Sequence, residues 1–234
     1  MNITDITIGI LAVTPEGGAK AYRDLTIKFY EKYGNYVSPH VLMYMQPLIQ
    51  HVQNFGNEDK WTELIQQGVD KLVGSGAQLL WMPANSSHLV ANRINFKGVE
   101  FVNMVDVSVA SLLASGQRPL VLGTTVSMSE KLYFKDKRMS DHCTKPNAED
   151  QSIVNDIIIK ELVPGNISAD SRQFIRKLVN KHQVSDGITS VFLACTELPC
   201  FFTSDELGLP VQNSIDVSAD CIIARAIQLQ NFAD

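Results

Sequence analysis

The chain has 234 residues, 45% of them hydrophobic and 19% charged, with a net charge of -5. That is enough for one large domain, or two of about 100 to 120 residues around real cores, and no low-complexity or linker-like stretch interrupts it. Its Lys and Arg are scattered and form no basic stripe, which argues against a nucleic-acid partner, and no apolar run approaches the roughly 20 residues that span a bilayer.

Residues 1–13 carry Asp5 and no Lys or Arg, the opposite of a signal peptide's positive start. A soluble, cytoplasmic protein with no membrane partner is expected. Cys143, Cys195, Cys200 and Cys221 show no CxxC pair and no Cys/His zinc spacing, so reduced thiols are expected, with no metal site.

In chain order, short apolar runs with little polar alternation fall at 6–13, 40–45, 78–82, 100–104, 119–123, 189–194 and 209–212. This is how buried parallel strands read. Thr14 before Pro15 reads as a helix N-cap with proline at the first helical position. Helical spacing covers 58–74, 107–114, 148–162, 170–181 and 215–229. Met43, Met45 and Met82 read as core, and Cys200 and Cys221 as packing residues. The alternation predicts an α/β fold with parallel sheets flanked by helices.

The two halves also echo one another. Ile10-Leu11-Ala12-Val13-Thr14 matches Val121-Leu122-Gly123-Thr124-Thr125, 111 positions later. Asn103-Met104-Val105-Asp106-Val107-Ser108 matches Asn213-Ser214-Ile215-Asp216-Val217-Ser218 at an offset of 110. Two similar lobes related by a pseudo-twofold are expected, the first from 1–97 plus 209–234 and the second from 98–208. Ligands of such sheets sit beyond the carboxyl ends of the strands, which predicts an active site in the cleft between the lobes.

Two strand ends stand out, Pro83-Ala84-Asn85-Ser86-Ser87-His88 and Ala194-Cys195-Thr196-Glu197, with Ala84 and Cys195 again 111 positions apart. In each, a small residue ends a strand and polar residues follow at an expected helix start. Free amides there can hold a carboxylate and would lower the pKa of a thiol. Asn85 also suits an N-cap, and His88 reads as a hydrogen-bonded structural histidine.

These motifs resemble those of the aspartate/glutamate racemases, which work without pyridoxal phosphate. In that family the first strand end reads P-C-N-T-x-H and the second G-C-T-E. Leu122-Gly123-Thr124-Thr125 followed by Tyr133, and the stretch from Glu161 to Arg172, look like further family segments. The resemblance implies cofactor-free, two-base proton exchange at the Cα of a small amino acid, one thiol serving each face, in a homodimer. Carried over by position, Cys195 is the surviving acid/base, and Asn85, Ser86, Thr124, Thr125 and Thr196 bind the substrate. His88 and Glu197 support them, and Gln46 is a candidate side-chain contact beside Thr14.

The chain departs from this pattern at Ala84, which stands where the resemblance places the first catalytic cysteine. An engineered replacement, a subgroup with another task and a member with impaired turnover are all compatible with that methyl group. The first loop lacks the family's G-G-M-G-P, and Val163 and Pro164 fall near the place of a lysine found in strict aspartate racemases. Both differences point to a neutral or broader amino-acid substrate. A one-cysteine enzyme resembling the arylmalonate decarboxylases and a non-catalytic amino-acid-binding protein are the alternatives.

Overall fold

The computed structural model describes residues 5–232, so residues 1–4 and 233–234 of the expected first lobe lie outside them. The chain forms two compact units. One runs to Val107 and resumes at Ile215; the other is Ser108–Ser214.

In the first unit β1 (Thr7–Ala12), β2 (His40–Met45), β3 (Leu79–Trp81) and β4 (Glu100–Val102) form a parallel sheet in the order β2-β1-β3-β4. α1 (Pro15–Tyr33) starts as expected: the Thr14 hydroxyl accepts from Gly17 N–H at 3.3 Å, with Pro15 at the first turn. A Cβ on Gly18 would fall 2.6 Å from the Ala12 Cβ, so the missing side chain lets α1 lie against the end of β1.

Ile8, Ile10, Leu79 and Trp81 face Leu25 and Phe29 of α1 and Ile215, Ala219 and Ile222 of α9 (Ser214–Phe232). On the other face Leu11, Leu80 and Met82 pack against Ile65, Val69 and Leu72 of α3 (Glu58–Gly74). Each such fully buried side chain stabilises the fold by about 1.5–3 kcal/mol. The short α2 (Leu48–Gln53) precedes α3. Met43 and Met45, expected in the core, are 45% and 46% exposed. Their strand, β2, is the sheet's edge, and nothing in an apolar run distinguishes an edge strand from a central one.

The second unit begins within α4 (Met104–Ala114). β5 (Pro119–Gly123), β6 (Ser190–Ala194) and β7 (Val211–Asn213) form a parallel sheet in that order, and Leu120 makes one further parallel bridge to Thr144. After the short α5 (Arg138–His142), Asn147 caps α6 (Ala148–Ile157), which runs into a single π turn, Ile158–Leu162. Ser168 caps α7 (Ala169–Asp186), and Gly187, at φ 64°, ends it; α8 (Ser204–Leu207) is a single turn. Leu120, Leu122, Val191 and Leu193 meet Val154, Ile157, Ile158, Ile175 and Val179 in one core.

The repeat is visible in the sheets themselves: β1-β3-β4 and β5-β6-β7 carry the same order at the same spacing. The expected lobe boundaries after 97 and after 208 each fall one strand early. Glu100–Val102 pairs with β3 in the first sheet, and Val211–Asn213 with β6 in the second. A boundary drawn at the repeat offset cannot see that each sheet takes its last strand before the chain changes unit. Among the described residues no helix is long and apolar enough to cross a membrane.

Candidate active site

At the end of β3 the chain turns through Met82 and Pro83 into a nine-residue 3-10 helix, Asn85–Arg93. Ala84, 8% exposed, takes the cap position in extended conformation with no side-chain cap. Asn85 is therefore the first helical residue rather than the expected N-cap; it is buried, as is Ser87, while Ser86 is half-buried.

His88 ties this turn to the start of α4. Its Nε2 accepts from Met104 N–H at 3.1 Å, and its Nδ1 lies 3.0 Å from the Ala84 carbonyl oxygen. Because Nε2 must accept, the ring proton sits on Nδ1 and is donated to Ala84 O. Burial pushes the imidazole pKa down to about 4, so the ring is neutral at pH 7. Phe101 stacks on it with ring centroids 5.6 Å apart.

At the end of β6, Cys195, Thr196 and Glu197 are all buried. The Cys195 Sγ lies 3.1 Å from Glu197 Oε2 and donates to it; the Thr196 hydroxyl, 3.0 Å from each carboxylate oxygen, is a second donor. The expected lowering of the Cys195 pKa is overturned, since burial first and then the Glu197 carboxylate push it well above the ordinary thiol value. Amides of Glu197 and Leu198 pull the other way. However, the expected helix is only a three-residue turn, Leu198–Cys200, too short to offset dehydration and an adjacent negative charge. Cys195 therefore rests as a thiol.

Strand β5 ends close by. A Cβ on Gly123 would stand 2.6 Å from the Ala194 carbonyl oxygen, so only glycine fits beside the residue preceding Cys195. In the next turn Thr124 Oγ1 accepts from Ser127 N–H at 3.1 Å and pairs with the Ser127 hydroxyl at 3.0 Å. Thr125 gives both its N–H (3.1 Å) and its hydroxyl (3.4 Å) to Asn155 Oδ1 on α6. Asn155 belongs to no motif in the sequence; an asparagine inside a helical segment, where it is a poor former, is its one mark. Tyr133 is fully buried, its hydroxyl close to Ser108 and Ser214, and burial raises its pKa.

The candidate residues thus divide between the units. Thr14, Gln46, Ala84, Asn85, Ser86 and His88 belong to the first, and Thr124, Thr125, Cys195, Thr196 and Glu197 to the second. Thr14 serves as a cap. Gln46, 4% exposed, gives its amide nitrogen to Gln67 at 3.5 Å, while its buried Oε1 has no hydrogen-bond partner among the described residues. Of the other cysteines, Cys143 is buried with its thiol pushed up to about 11, Cys221 is half-buried and Cys200 is exposed, contrary to its expected packing role. Cys200 lies where the short turn reaches the surface. Among the described residues no group of three or more His, Cys, Asp or Glu side chains can hold a metal ion.

No protein-family model matches the chain. It is 22% identical over 231 residues to the broad specificity amino-acid racemase RacX of Bacillus subtilis, covering 96% of this chain and all of that one. An aspartate racemase homologue from Pyrococcus horikoshii superposes with a TM-score of 0.73 at 28% identity, covering 94% of this chain and 99% of the other. The aspartate racemase of Picrophilus torridus has the same fold, with a TM-score of 0.79 at 23% identity and 94% of each chain covered. Over nearly its full length the chain is thus similar in sequence to an amino-acid racemase and shares the fold of aspartate racemases and their homologues.

Proposed function

We propose that the protein acts on a small amino acid as a racemase or epimerase without a cofactor, with Cys195 exchanging the proton on one face of Cα and Ala84 leaving the opposite face without an acid/base. The observation that carries this is the buried Cys195 thiol at a strand end, hydrogen-bonded to the Glu197 carboxylate.

To act as a base, Cys195 first gives its Sγ proton to Glu197, leaving a thiolate and a carboxylic acid. The thiolate then takes the Cα proton, leaving a carbanion, and the new thiol can return a proton to the same face. When the Sγ proton trades with a solvent proton, by way of the Glu197 carboxyl, before it is returned, the cycle exchanges the Cα hydrogen with solvent and retains configuration. Inversion needs a donor on the other face, where position 84 offers only a methyl group, and loss of such a group costs about 10² to 10⁴ in rate. Ser86 and Ser87 are too weakly basic to replace it. Asn85, Ser86, Thr124, Thr125 and Thr196 would hold the α-carboxylate and ammonium, with Gln46 near the side chain. A neutral or broad substrate range, a cytoplasmic location and a homodimer complete the proposal.

One observation favours a second reaction. A cysteine that rests as a thiol is already a proton donor, which is all that a one-cysteine decarboxylase asks of it. Incubating the protein and its Cys195→Ser variant with a panel of L-amino acids in D₂O tests the main reading. Deuterium at Cα in the native protein, absent in the variant, is the expected result. Equal deuterium uptake in both would refute the role of Cys195.

A further inference from the structure

We propose, on the racemase reading above, that Asn155 is a positioning residue for the turn after β5, acting on the substrate through Thr124 and Thr125. A single side-chain oxygen, Asn155 Oδ1, gathers the N–H and the hydroxyl of Thr125 at 3.1 and 3.4 Å. The peptide joining Thr124 to Thr125 is thereby held from both sides. Its N–H points at Asn155, and its carbonyl accepts from Met128 N–H at 3.0 Å. Thr124 Oγ1 is fixed in turn by Ser127 N–H. One distant amide thus sets the orientation of two residues assigned to substrate binding.

The element that carries Asn155 is built to hold it there. Val154, Ile157 and Ile158 beside it are buried in the core with Leu120 and Leu122 of β5, so Asn155 cannot retreat from the turn without unpacking its helix. Immediately beyond, the helix widens into the π turn Ile158–Leu162, with Val163 N–H bonded to Ile158 O at 2.9 Å and Asn166 N–H to Glu161 O at 2.9 Å. Single π turns inside helices concentrate at functional sites. Ile158 and Leu162 at its two ends are both buried, which anchors the helix end beyond Asn155 in the core.

The test is Cα deuterium exchange in the Ala84→Cys protein, with kcat and KM measured for its best amino-acid substrate, in Asn155→Leu and Asn155→Asp versions. Leucine keeps the volume and removes the acceptor; aspartate keeps the acceptor. KM is expected to rise roughly tenfold in the leucine variant, the size of one lost polar contact, with kcat less affected, while the aspartate variant stays within about twofold of its parent. Melting temperatures and circular dichroism confirm folding. An unchanged KM with leucine would refute the role. So would a lowered KM, which would mean that Asn155 competes with the substrate for Thr125, and so would an aspartate variant as impaired as the leucine one. If the Ala84→Cys parent exchanges no amino acid, the racemase reading fails first and this role falls with it.

Discussion

Replacing His88 with glutamine should flatten the acid sensitivity of the fold. In the native protein the ring is neutral, donating from Nδ1 to Ala84 O and accepting at Nε2 from Met104 N–H. Its pKa is held at about 4 against an ordinary 6.5. Protonation therefore favours the unfolded chain, in which the ring takes up its proton as soon as pH falls below 6.5. Stability from this group is complete above pH 6.5 and declines by about 1.4 kcal/mol per pH unit below it, levelling off below pH 4 after a loss of about 3 kcal/mol. Glutamine can accept from Met104 and donate to Ala84 without titrating. Urea unfolding at pH 7 and pH 5 should show the native protein losing about 2 kcal/mol more than His88→Gln over that interval. His51, also lowered by burial, is present in both proteins and cancels. Equal losses would mean that the ring is not held neutral between Ala84 and α4.

Three further outcomes are expected. Glu197→Gln removes the charge beside Sγ, so in a background with Cys143, Cys200 and Cys221 replaced by alanine, Cys195 should titrate at lower pH and react faster with iodoacetamide at pH 7. An unchanged pH profile would mean that burial alone keeps the thiol protonated. Gly123→Ala drives a Cβ against the Ala194 carbonyl and should cost about 1–3 kcal/mol, read as a melting temperature several degrees lower; an unaltered melting temperature would show that the two strand ends can part freely. Cys195→Ser in the Ala84→Cys background should abolish inversion at Cα, followed by chiral chromatography, and surviving inversion would assign the chemistry to another group.

The strands were legible because parallel strands buried on both faces must be apolar throughout, as Leu120 to Leu122 and Val191 to Ala194 are. The repeat was legible for a related reason: Asn103 directly follows the last strand of one sheet and Asn213 ends the last strand of the other, each just before a helix, so the pattern returns wherever that corner does. Thr14 could be read as a cap because capping is local, its partner being Gly17. What stayed hidden depends on distance or exposure. Met43 and Met45 look like core until the strand order makes β2 an edge. The Cys195 thiol looks activated until Glu197, only two residues on, is seen to fold its carboxylate back onto Sγ. Asn155 meets Thr125 across 30 residues of chain, a contact that no periodicity encodes.

The central claim is that position 84 is the missing partner of Cys195, and Ala84→Cys in D₂O addresses it most directly. With a panel of L-amino acids, the native protein should incorporate Cα deuterium with retained configuration, and the variant should produce the D-enantiomer at a rate about 10² to 10⁴ above the native protein. A folded Ala84→Cys protein that inverts no amino acid would contradict the account.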